Sequence, residues 1–295
     1  MSCYINLCLF LVFAYCFLVQ ATPEDLTYYF KNKHHHAGVP LKNHDVHDNV
    51  EHVESVFDRT KKTVVLIHGW KDNHNSNFNN EISEAIFNSS DANVIVVDWS
   101  VQAGKTYIRA KNSVPNVGNY CATFLSQLLD ILDYPLNYIT VVGFSLGAHV
   151  SGIVGKHFEG SLPLIIGLDP ARPLIQLNTT SALHSEDAKY VQIIHTDAGS
   201  AGVQVSLGDS DFYPNGGNNQ LGCSINGCDH NRAWVYFAES IRNNQFLAQQ
   251  CHNFEEYSSH NCYGHYALMG GLDVDVSIKG TYYLITNEHS PFGRG

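Results

Sequence analysis

The sequence has little positive charge and no basic run. Its 295 residues include 17 Lys and Arg against 28 Asp and Glu, which gives a formal net charge of -11. Because a nucleic-acid-binding surface needs clustered positive charge, this composition argues against a nucleic-acid partner. Internal repeats and low-complexity linkers are also absent, and a hydrophobic content of 44% excludes disorder, collagen and coiled coil. The length fits one α/β domain, since such domains often exceed the usual size.

Long apolar runs are absent except near the N-terminus. Tyr4–Val19 carries no charged side chain, and its 16 residues fall short of the length of a membrane span, which is about 20. Small residues at Val19 and Ala21 fit a signal-peptidase site. We therefore expect residues 1–21 to be a secretory signal and the mature protein to be soluble and extracellular. A signal anchor is the alternative.

Cysteine usage agrees with export, because disulfides form in oxidising compartments. Three of the eight cysteines lie in the expected signal. Two close pairs, Cys223–Cys228 and Cys251–Cys262, suggest disulfides that each close a short loop. Metal ligation by the first pair is the alternative, but no second cysteine pair follows at a zinc spacing. Cys121 lies in a helical pattern and is expected to be a buried free thiol.

Two polar features are expected at the surface. N-glycosylation sequons begin at Asn88 and Asn178, which fits a secreted chain. The segment Lys31–His52 contains six histidines, at positions 34, 35, 36, 44, 47 and 52. Metal binding is one interpretation, but the segment lacks the close-set Asp, Glu and Cys ligands of a defined site. We predict a solvated loop.

Short apolar runs alternate with helical patterns along the rest of the chain. Because these runs are almost continuously apolar, they are typical of strands covered on both faces. The alternation predicts a mostly parallel, doubly wound sheet in one domain, residues 22–295. The predicted strands are Thr63–Ile67, Asn93–Val97, Tyr138–Val142, Leu164–Leu168, Tyr190–Ile194 and Gly280–Thr286, and the predicted helices are Asn77–Asn88, Val117–Leu132, Ala148–His157 and a further one from Asn231.

A candidate nucleophile follows the third predicted strand. Gly143-Phe144-Ser145-Leu146-Gly147 is a G-x-S-x-G sequence between a strand and a helix, the layout of a nucleophile elbow. Such a turn strains the backbone at the serine, and only glycine leaves room for the neighbouring chain. The helix N-terminus offers N–H groups where an oxyanion would form. A glycine-rich turn with a surface serine is the alternative.

A serine nucleophile needs a histidine base and a carboxylate that orients it. With this elbow the acid follows the serine in the chain and the histidine comes last. Asp169 ends the next strand, at the sheet edge expected to carry Ser145, and Asp197 is the competing acid. His230 follows Cys228 by two residues, where a disulfide would fix the imidazole, and is our candidate base. The other histidines after the acid are His184, His195, His252, His260, His265 and His289, of which His195 ends a strand and has a structural interpretation.

Two backbone N–H groups are candidate donors to an oxyanion. Leu146 follows the nucleophile and supplies the first. The second is expected in the loop after the first long apolar strand, which reads His68-Gly69-Trp70. Trp70 N–H is the candidate there, and the loss of one such donor costs about 3–4 kcal/mol in other hydrolases.

The motifs HGW, GFSLGAH, GLDPA, HTD, DFYPNGG and CDHNRA occur in an order and spacing that resemble the animal pancreatic-lipase family. The resemblance spans about Thr63–Phe237. It implies an α/β-hydrolase fold, secretion and the hydrolysis of lipid esters. It also implies the same catalytic triad and the same oxyanion donors that the local patterns indicate.

Three features depart from the larger members of that family. The sequence ends at Gly295, so we expect no C-terminal β-sandwich and no colipase partner. Only Ser224–Gly227 separate the first cysteine pair, too few residues for an amphipathic lid, and the segment between His195 and Asp211 is also short. Members with short loops resemble phospholipases A1. Triacylglycerol or galactolipid hydrolysis is the alternative, and a non-catalytic lipid-binding or yolk-type protein is the alternative of another class.

The resemblance also raises the question of metals. Some members of the family bind structural calcium after the catalytic Asp, but here Asn178–Asp187 offers only Glu186 and Asp187. We expect no metal and no cofactor, and a monomer that acts on lipid at a micelle or membrane surface. Asp229 stands where Ser is common in the family, and its carboxylate either acts on His230 or points to water.

Overall fold

A computed structural model describes residues 22–42 and 50–295. The expected secretory signal, with its three cysteines, lies outside these residues, as do His44 and His47 of the histidine-rich segment. Within the two described ranges, no helix combines the length and the apolar character needed to cross a membrane.

Eleven strands form one mixed sheet in the described chain. Their order across the sheet is β10-β9-β11-β8-β7-β6-β5-β3-β4-β1-β2. The seven strands from β11 to β4 run parallel, and antiparallel strands flank them on both sides. The prediction of a mostly parallel sheet is therefore confirmed. The strands are β1 (Thr27–Asn32), β2 (His35–Lys42), β3 (Thr63–Ile67), β4 (Asn93–Asp98), β5 (Ile139–Phe144), β6 (Leu164–Leu168), β7 (Val191–Ile194), β8 (Ser210–Pro214), β9 (Leu247–Gln250), β10 (Tyr266–Leu268) and β11 (Gly280–Leu284).

Helices cover both faces of the sheet. Side chains along β3 point alternately to the two faces. Val65 and Ile67 pack in one core with α4 and α5, whereas Val64 and Leu66 pack in a second core with α2 and α6. This two-sided burial explains why the central strands are apolar throughout. The helices are α1 (Val50–Glu54), α2 (Asn77–Ser89), α3 (Ser100–Ala103), α4 (Tyr107–Leu132), α5 (Leu146–His157), α6 (Cys228–Arg242) and α7 (Phe254–Ser258).

Helix α4 begins well before its predicted start at Val117. It starts at Tyr107 and contains Pro115. Proline removes a backbone donor and is disfavoured inside a helix, so local sequence does not favour this earlier start. Ala110 and Val114 are buried in the earlier turns at helical spacing, and this packing stabilises them.

The predicted loop over Lys31–His52 is wrong in part. Strand β2 covers its middle and pairs antiparallel with β1, which pairs with β4. The side chains of His34, His35 and His36 are exposed, as expected of a solvated segment. A largely exposed strand at the edge of a sheet needs no alternation of apolar and polar residues, so its sequence does not distinguish it from a loop.

Both expected disulfides are present in the structure. Cys223–Cys228 precedes α6 with a Cα–Cα distance of 5.5 Å, and Cys251–Cys262 follows β9 with a Cα–Cα distance of 5.3 Å. Cys121 is buried and unpaired, and burial raises the pKa of its thiol to about 12. The thiol is therefore protonated and unreactive at neutral pH.

The two sequons lie at the surface. Asn88 is exposed near the end of α2, and Asn178 is exposed in the segment after β6. Their glycosylation stays a prediction.

Candidate active site

Strand β5 and helix α5 meet at Ser145 in a sharp turn. The backbone of Ser145 has a φ of 56° and a ψ of -119°, a conformation that strains any residue with a Cβ. The flanking glycines are required sterically. A Cβ on Gly143 would collide with the carbonyl oxygen of Gly147, and a Cβ on Gly147 would collide with that of Ile67. The strained strand-to-helix elbow is therefore present.

The parallel pairing of β5 with β6 brings Ser145 and Asp169 to the same edge of the sheet. Phe144 lies opposite Leu168 in the register, so the residues that follow these two are neighbours. The backbone N–H of Ser145 donates to the Leu168 carbonyl at 3.0 Å, and the N–H of Ala171 donates to the Ser145 carbonyl at 3.1 Å. These bonds fix the elbow against the segment that carries the acid.

Asp169 is fully buried and accepts hydrogen bonds on both carboxylate oxygens. Oδ2 lies 2.5 Å from His230 Nδ1. Oδ1 accepts the backbone N–H groups of Thr196 and Asp197 at 2.8 Å and 3.1 Å. Because a carboxylate only accepts, the proton of the neutral imidazole lies on Nδ1, which leaves Nε2 as the basic nitrogen.

His230 lies in the first turn of α6, two residues after the Cys228 disulfide. The ring of Phe144, which precedes the nucleophile candidate, has its centroid 4.6 Å from that of His230. His230 and Ser145 also line the same cavity. The structure therefore brings the three candidate triad residues together at one edge of the sheet.

The carboxylate of Asp229 connects α6 to the preceding loop. It accepts the backbone N–H of Gln220 at 2.5 Å, so it does not simply point to water. Gln220 is itself buried, and its amide donates to the carbonyls of Thr196 at 3.1 Å and Pro214 at 2.9 Å. Sequence reasoning missed Gln220, because no local pattern distinguishes it from a surface glutamine.

The loop after β3 places Trp70 beside the elbow. A Cβ on Gly69 would lie 3.0 Å from the Cβ of Ser145, which shows how closely the loop packs there. The indole N–H of Trp70 donates to the Lys105 carbonyl at 2.8 Å and fixes the ring. Leu146 is the first residue of α5, so its N–H has no acceptor within the helix. Both predicted oxyanion donors therefore belong to segments that meet at Ser145.

A cavity of about 430 Å³ opens at Ser145. Its walls are mainly apolar and aromatic, which suits a ligand with a hydrocarbon chain. The Tyr107 hydroxyl donates to the Pro173 carbonyl at 2.9 Å and fixes one wall, and burial raises the pKa of Tyr107 to about 12. The other lining residues are Trp70, Asp72, Phe144, Ala171, Ala201, His230 and Asn231.

Asp72 is a cavity residue that sequence reasoning missed. Burial raises the pKa of its carboxyl, and the nearby rings of His68 and His230 act in the opposite direction. The only signal in the sequence is its position two residues after Trp70, in the loop that carries a candidate oxyanion donor.

The donor groups at the site do not fit a metal ion. Among the described residues, the one group of three ligating side chains is Asp169, Asp197 and His230, whose ligand atoms lie within 4.8 Å of one another. Asp169 and His230 are already bonded to each other, so coordination would break that pair. The family resemblance linked the segment Asn178–Asp187 to calcium. There, Asp187 Oδ2 lies 2.6 Å from the Lys156 ammonium, so the carboxylate is already paired with a positive charge.

His149 is fully buried in α5 and uses both ring nitrogens. Nε2 lies 2.7 Å from the Ala171 carbonyl, and Nδ1 accepts the Leu183 backbone N–H at 3.1 Å. The ring is therefore neutral, with its proton on Nε2. Burial lowers the pKa of His149 to about 4. The ring ties the segment after Asp169 to the helix that follows Ser145.

We expect His149 to make the free energy of unfolding fall as the pH is lowered from about 6.5 to about 4. Its folded pKa lies below the unfolded value of about 6.5, so its contribution is complete above pH 6.5 and is lost as the pH falls through the folded pKa. The total loss is about 3 kcal/mol. Urea unfolding across this range measures it. His149→Gln can still donate to Ala171 and accept from Leu183 but does not titrate, so it should show a shallower slope. Equal slopes in the two proteins would contradict this assignment.

Similarity to known proteins agrees with this geometry. The Lipase family matches residues 28–292 of the chain. Pancreatic triacylglycerol lipase from Oryctolagus cuniculus is 33% identical over 276 residues, which cover 81% of this chain and 59% of that protein. Lipase member H-A from Xenopus laevis is 37% identical over 217 residues, which cover 69% of this chain and 46% of that protein. The chain thus spans about half the length of these relatives. By this match over most of its length, the chain belongs to the Lipase family, which confirms its resemblance to the pancreatic lipases.

Proposed function

We propose that the protein is a secreted serine carboxylic ester hydrolase that acts on lipids, with residues 22–295 as its catalytic domain. The observation that carries this proposal is the buried Asp169, which holds His230 Nδ1 at 2.5 Å beside an apolar cavity that Ser145 lines. An imidazole held in this way has Nε2 available to accept the proton of a serine hydroxyl. The apolar walls suit an acyl chain.

The proposed reaction has two acyl-transfer steps. His230 Nε2 takes the proton of Ser145 Oγ as this oxygen attacks the ester carbonyl, and the N–H groups of Trp70 and Leu146 stabilise the oxyanion. The alcohol leaves with the proton from His230, and the acyl group stays on Ser145. Water then attacks the acyl-enzyme as His230 takes its proton, and His230 returns this proton to Ser145 Oγ as the carboxylic acid is released. Asp169 fixes the tautomer of the neutral ring and stabilises the imidazolium that forms in each step.

Within this chemistry we propose phospholipase A1-like cleavage of the sn-1 acyl ester, by a monomer at a lipid surface and without colipase. The support comes from the loop Ser224–Gly227, which is exposed and contributes no residue to the described lining of the cavity. A large head group needs such an uncovered approach. Triacylglycerol hydrolysis is the second candidate, favoured by the 33% identity to the rabbit pancreatic triacylglycerol lipase.

A head-group assay separates these candidates. The purified protein is given phosphatidylcholine, triolein and a short-chain ester under the same conditions, with a parallel series in EDTA. We expect faster release of fatty acid from the sn-1 position of phosphatidylcholine than from triolein, and no effect of EDTA, because Lys156 already pairs with Asp187. Faster hydrolysis of triolein would favour the second candidate. Absence of hydrolysis and of labelling by a fluorophosphonate would instead indicate a non-catalytic lipid-binding protein.

A further inference from the structure

His195 directly follows strand β7. Both of its ring nitrogens face hydrogen-bond acceptors. Nδ1 lies 2.8 Å from the Val203 carbonyl, and Nε2 lies 2.8 Å from Asp211 Oδ1. The Asp211 carboxylate also accepts the N–H groups of Leu207 at 2.9 Å and Gly208 at 3.1 Å, so it is surrounded by donors and is ionised. Since a carbonyl and a carboxylate only accept, His195 donates from both nitrogens. It is therefore an imidazolium.

This ion pair is buried, with 0% of the His195 side chain and 1% of the Asp211 side chain exposed. The ring of Tyr213, on β8, stacks on that of His195 with centroids 4.3 Å apart and planes 3° apart. Tyr283, on β11, stacks behind Tyr213 at 5.3 Å. An aromatic face attracts a cation, and a buried charge that loses its partner is strongly unfavourable. The two charged side chains therefore act as one unit.

Residues 196–203, which follow His195, surround the Asp169 carboxylate. The N–H groups of Thr196 and Asp197, at its start, donate to Asp169 Oδ1. Gly202, near its end, packs directly against that carboxylate, because a Cβ there would collide with both oxygens. The His195 ring joins the two ends of this segment. The backbone of His195 directly precedes Thr196, and its Nδ1 donates to the carbonyl of Val203, which follows Gly202.

We propose that His195 is a positioning residue for ester hydrolysis. Its imidazolium, paired with Asp211, holds residues 196–203 closed around Asp169 and so fixes the carboxylate that orients His230. This inference rests on the proposed function of the triad. His195 lines no part of the cavity at Ser145, so it acts on the reaction only through the segment that it holds.

This role predicts a loss in kcat that is larger than any rise in KM. Without the ring, Asp169 loses the fixed position of its two backbone donors, and the base that it orients is displaced. Such an indirect displacement costs about 10–100-fold in rate. KM for a short soluble ester should rise much less, because Ala201 is the one residue of this segment in the described lining of the cavity.

The test compares His195→Gln, Asp211→Asn and the double variant with the wild type on a short-chain ester. A fluorophosphonate that labels Ser145 counts the active sites, so that kcat refers to folded enzyme only. We expect each single variant to lose about 10–100-fold in kcat and the double variant to lose little more, because the pair acts as a unit. Additive losses would refute the coupling that the proposal requires.

Asp187→Asn is the matched control. It removes the carboxylate that pairs with Lys156 at 2.6 Å in an ion pair whose acid is buried and whose lysine is partly exposed. It should lower the melting temperature and leave kcat unchanged. If His195→Gln behaves in the same way, the pair has only a structural role and the proposal fails. If the wild type is neither active nor labelled, the proposed function fails instead, so the two failures are distinct.

One measurement on the wild-type protein requires no variant. Nitrogen-15 NMR of the histidine rings should show one ring with both N–H protons present at neutral pH and protected from solvent exchange. The absence of such a ring would refute a buried imidazolium, whether or not the variants fold.

Discussion

Ser145→Ala should reduce kcat by about six orders of magnitude without altering the fold. Oγ of Ser145 is the atom that would form the acyl-enzyme, and alanine offers no nucleophile in its place. The substitution keeps the Cβ against which Gly69 packs, so the elbow retains its contacts. The measurement is kcat on a short-chain ester, together with labelling by a fluorophosphonate, which should be lost in parallel.

Ser113→Ala provides the matched control for this experiment. Ser113 is also a buried serine, within α4, and its hydroxyl donates to the Arg109 carbonyl at 2.9 Å. It lies outside the cavity at the elbow. Its loss should leave both turnover and labelling at the wild-type level. Substantial turnover by Ser145→Ala, with the control intact, would place the nucleophile elsewhere.

The central strands are predictable because burial on both faces makes them continuously apolar. Strands β3 and β6 match their predicted bounds, and the strand before the elbow differs by one or two residues. Strand β8 was missed, although it lies in the parallel part of the sheet. It contains Asp211, which pairs with His195, and Ser210, whose hydroxyl accepts a hydrogen bond from Tyr190 at 2.8 Å. A strand whose polar groups are satisfied by distant partners carries no apolar signature.

Site residues, like strands, can be found in the sequence where a local pattern marks them and are missed where their partners are distant in the chain. Ser145 is marked by its flanking glycines, and Asp169 is marked by the end of a strand, so each can be located locally. Gln220 and Asp72 have no such mark, because their surroundings come from segments that only the folded sheet brings together. The protonation state of His195 likewise depends on an acceptor 16 residues away. Local patterns therefore locate the triad but not the groups that hold the triad in place.

Asp169→Asn should reduce kcat by about four orders of magnitude. The amide N–H₂ of asparagine would donate to His230 Nδ1, which moves the ring proton to Nε2 and removes the base. The oxyanion donors remain, so a residual rate above that of water is expected. Asp197→Asn should reduce kcat much less. The contact between Asp197 and Asp169 is a hydrogen bond from the backbone N–H of Asp197, and the substitution keeps that N–H.

The contrast between these two variants decides which carboxylate orients the base. Both acids were candidates in the sequence, and their ligand atoms lie within 4.8 Å of each other and of His230. Burial raises the pKa of Asp197, and the neighbouring charge of Asp169 raises it further. Both causes disfavour a negative charge on Asp197, and the bond to His230 Nδ1 is made by Asp169. Measurements of kcat for both variants at neutral pH, with active sites counted by labelling, test this order. A larger loss in Asp197→Asn would assign the acid to Asp197 and leave the 2.5 Å bond between Asp169 and His230 with a structural role only.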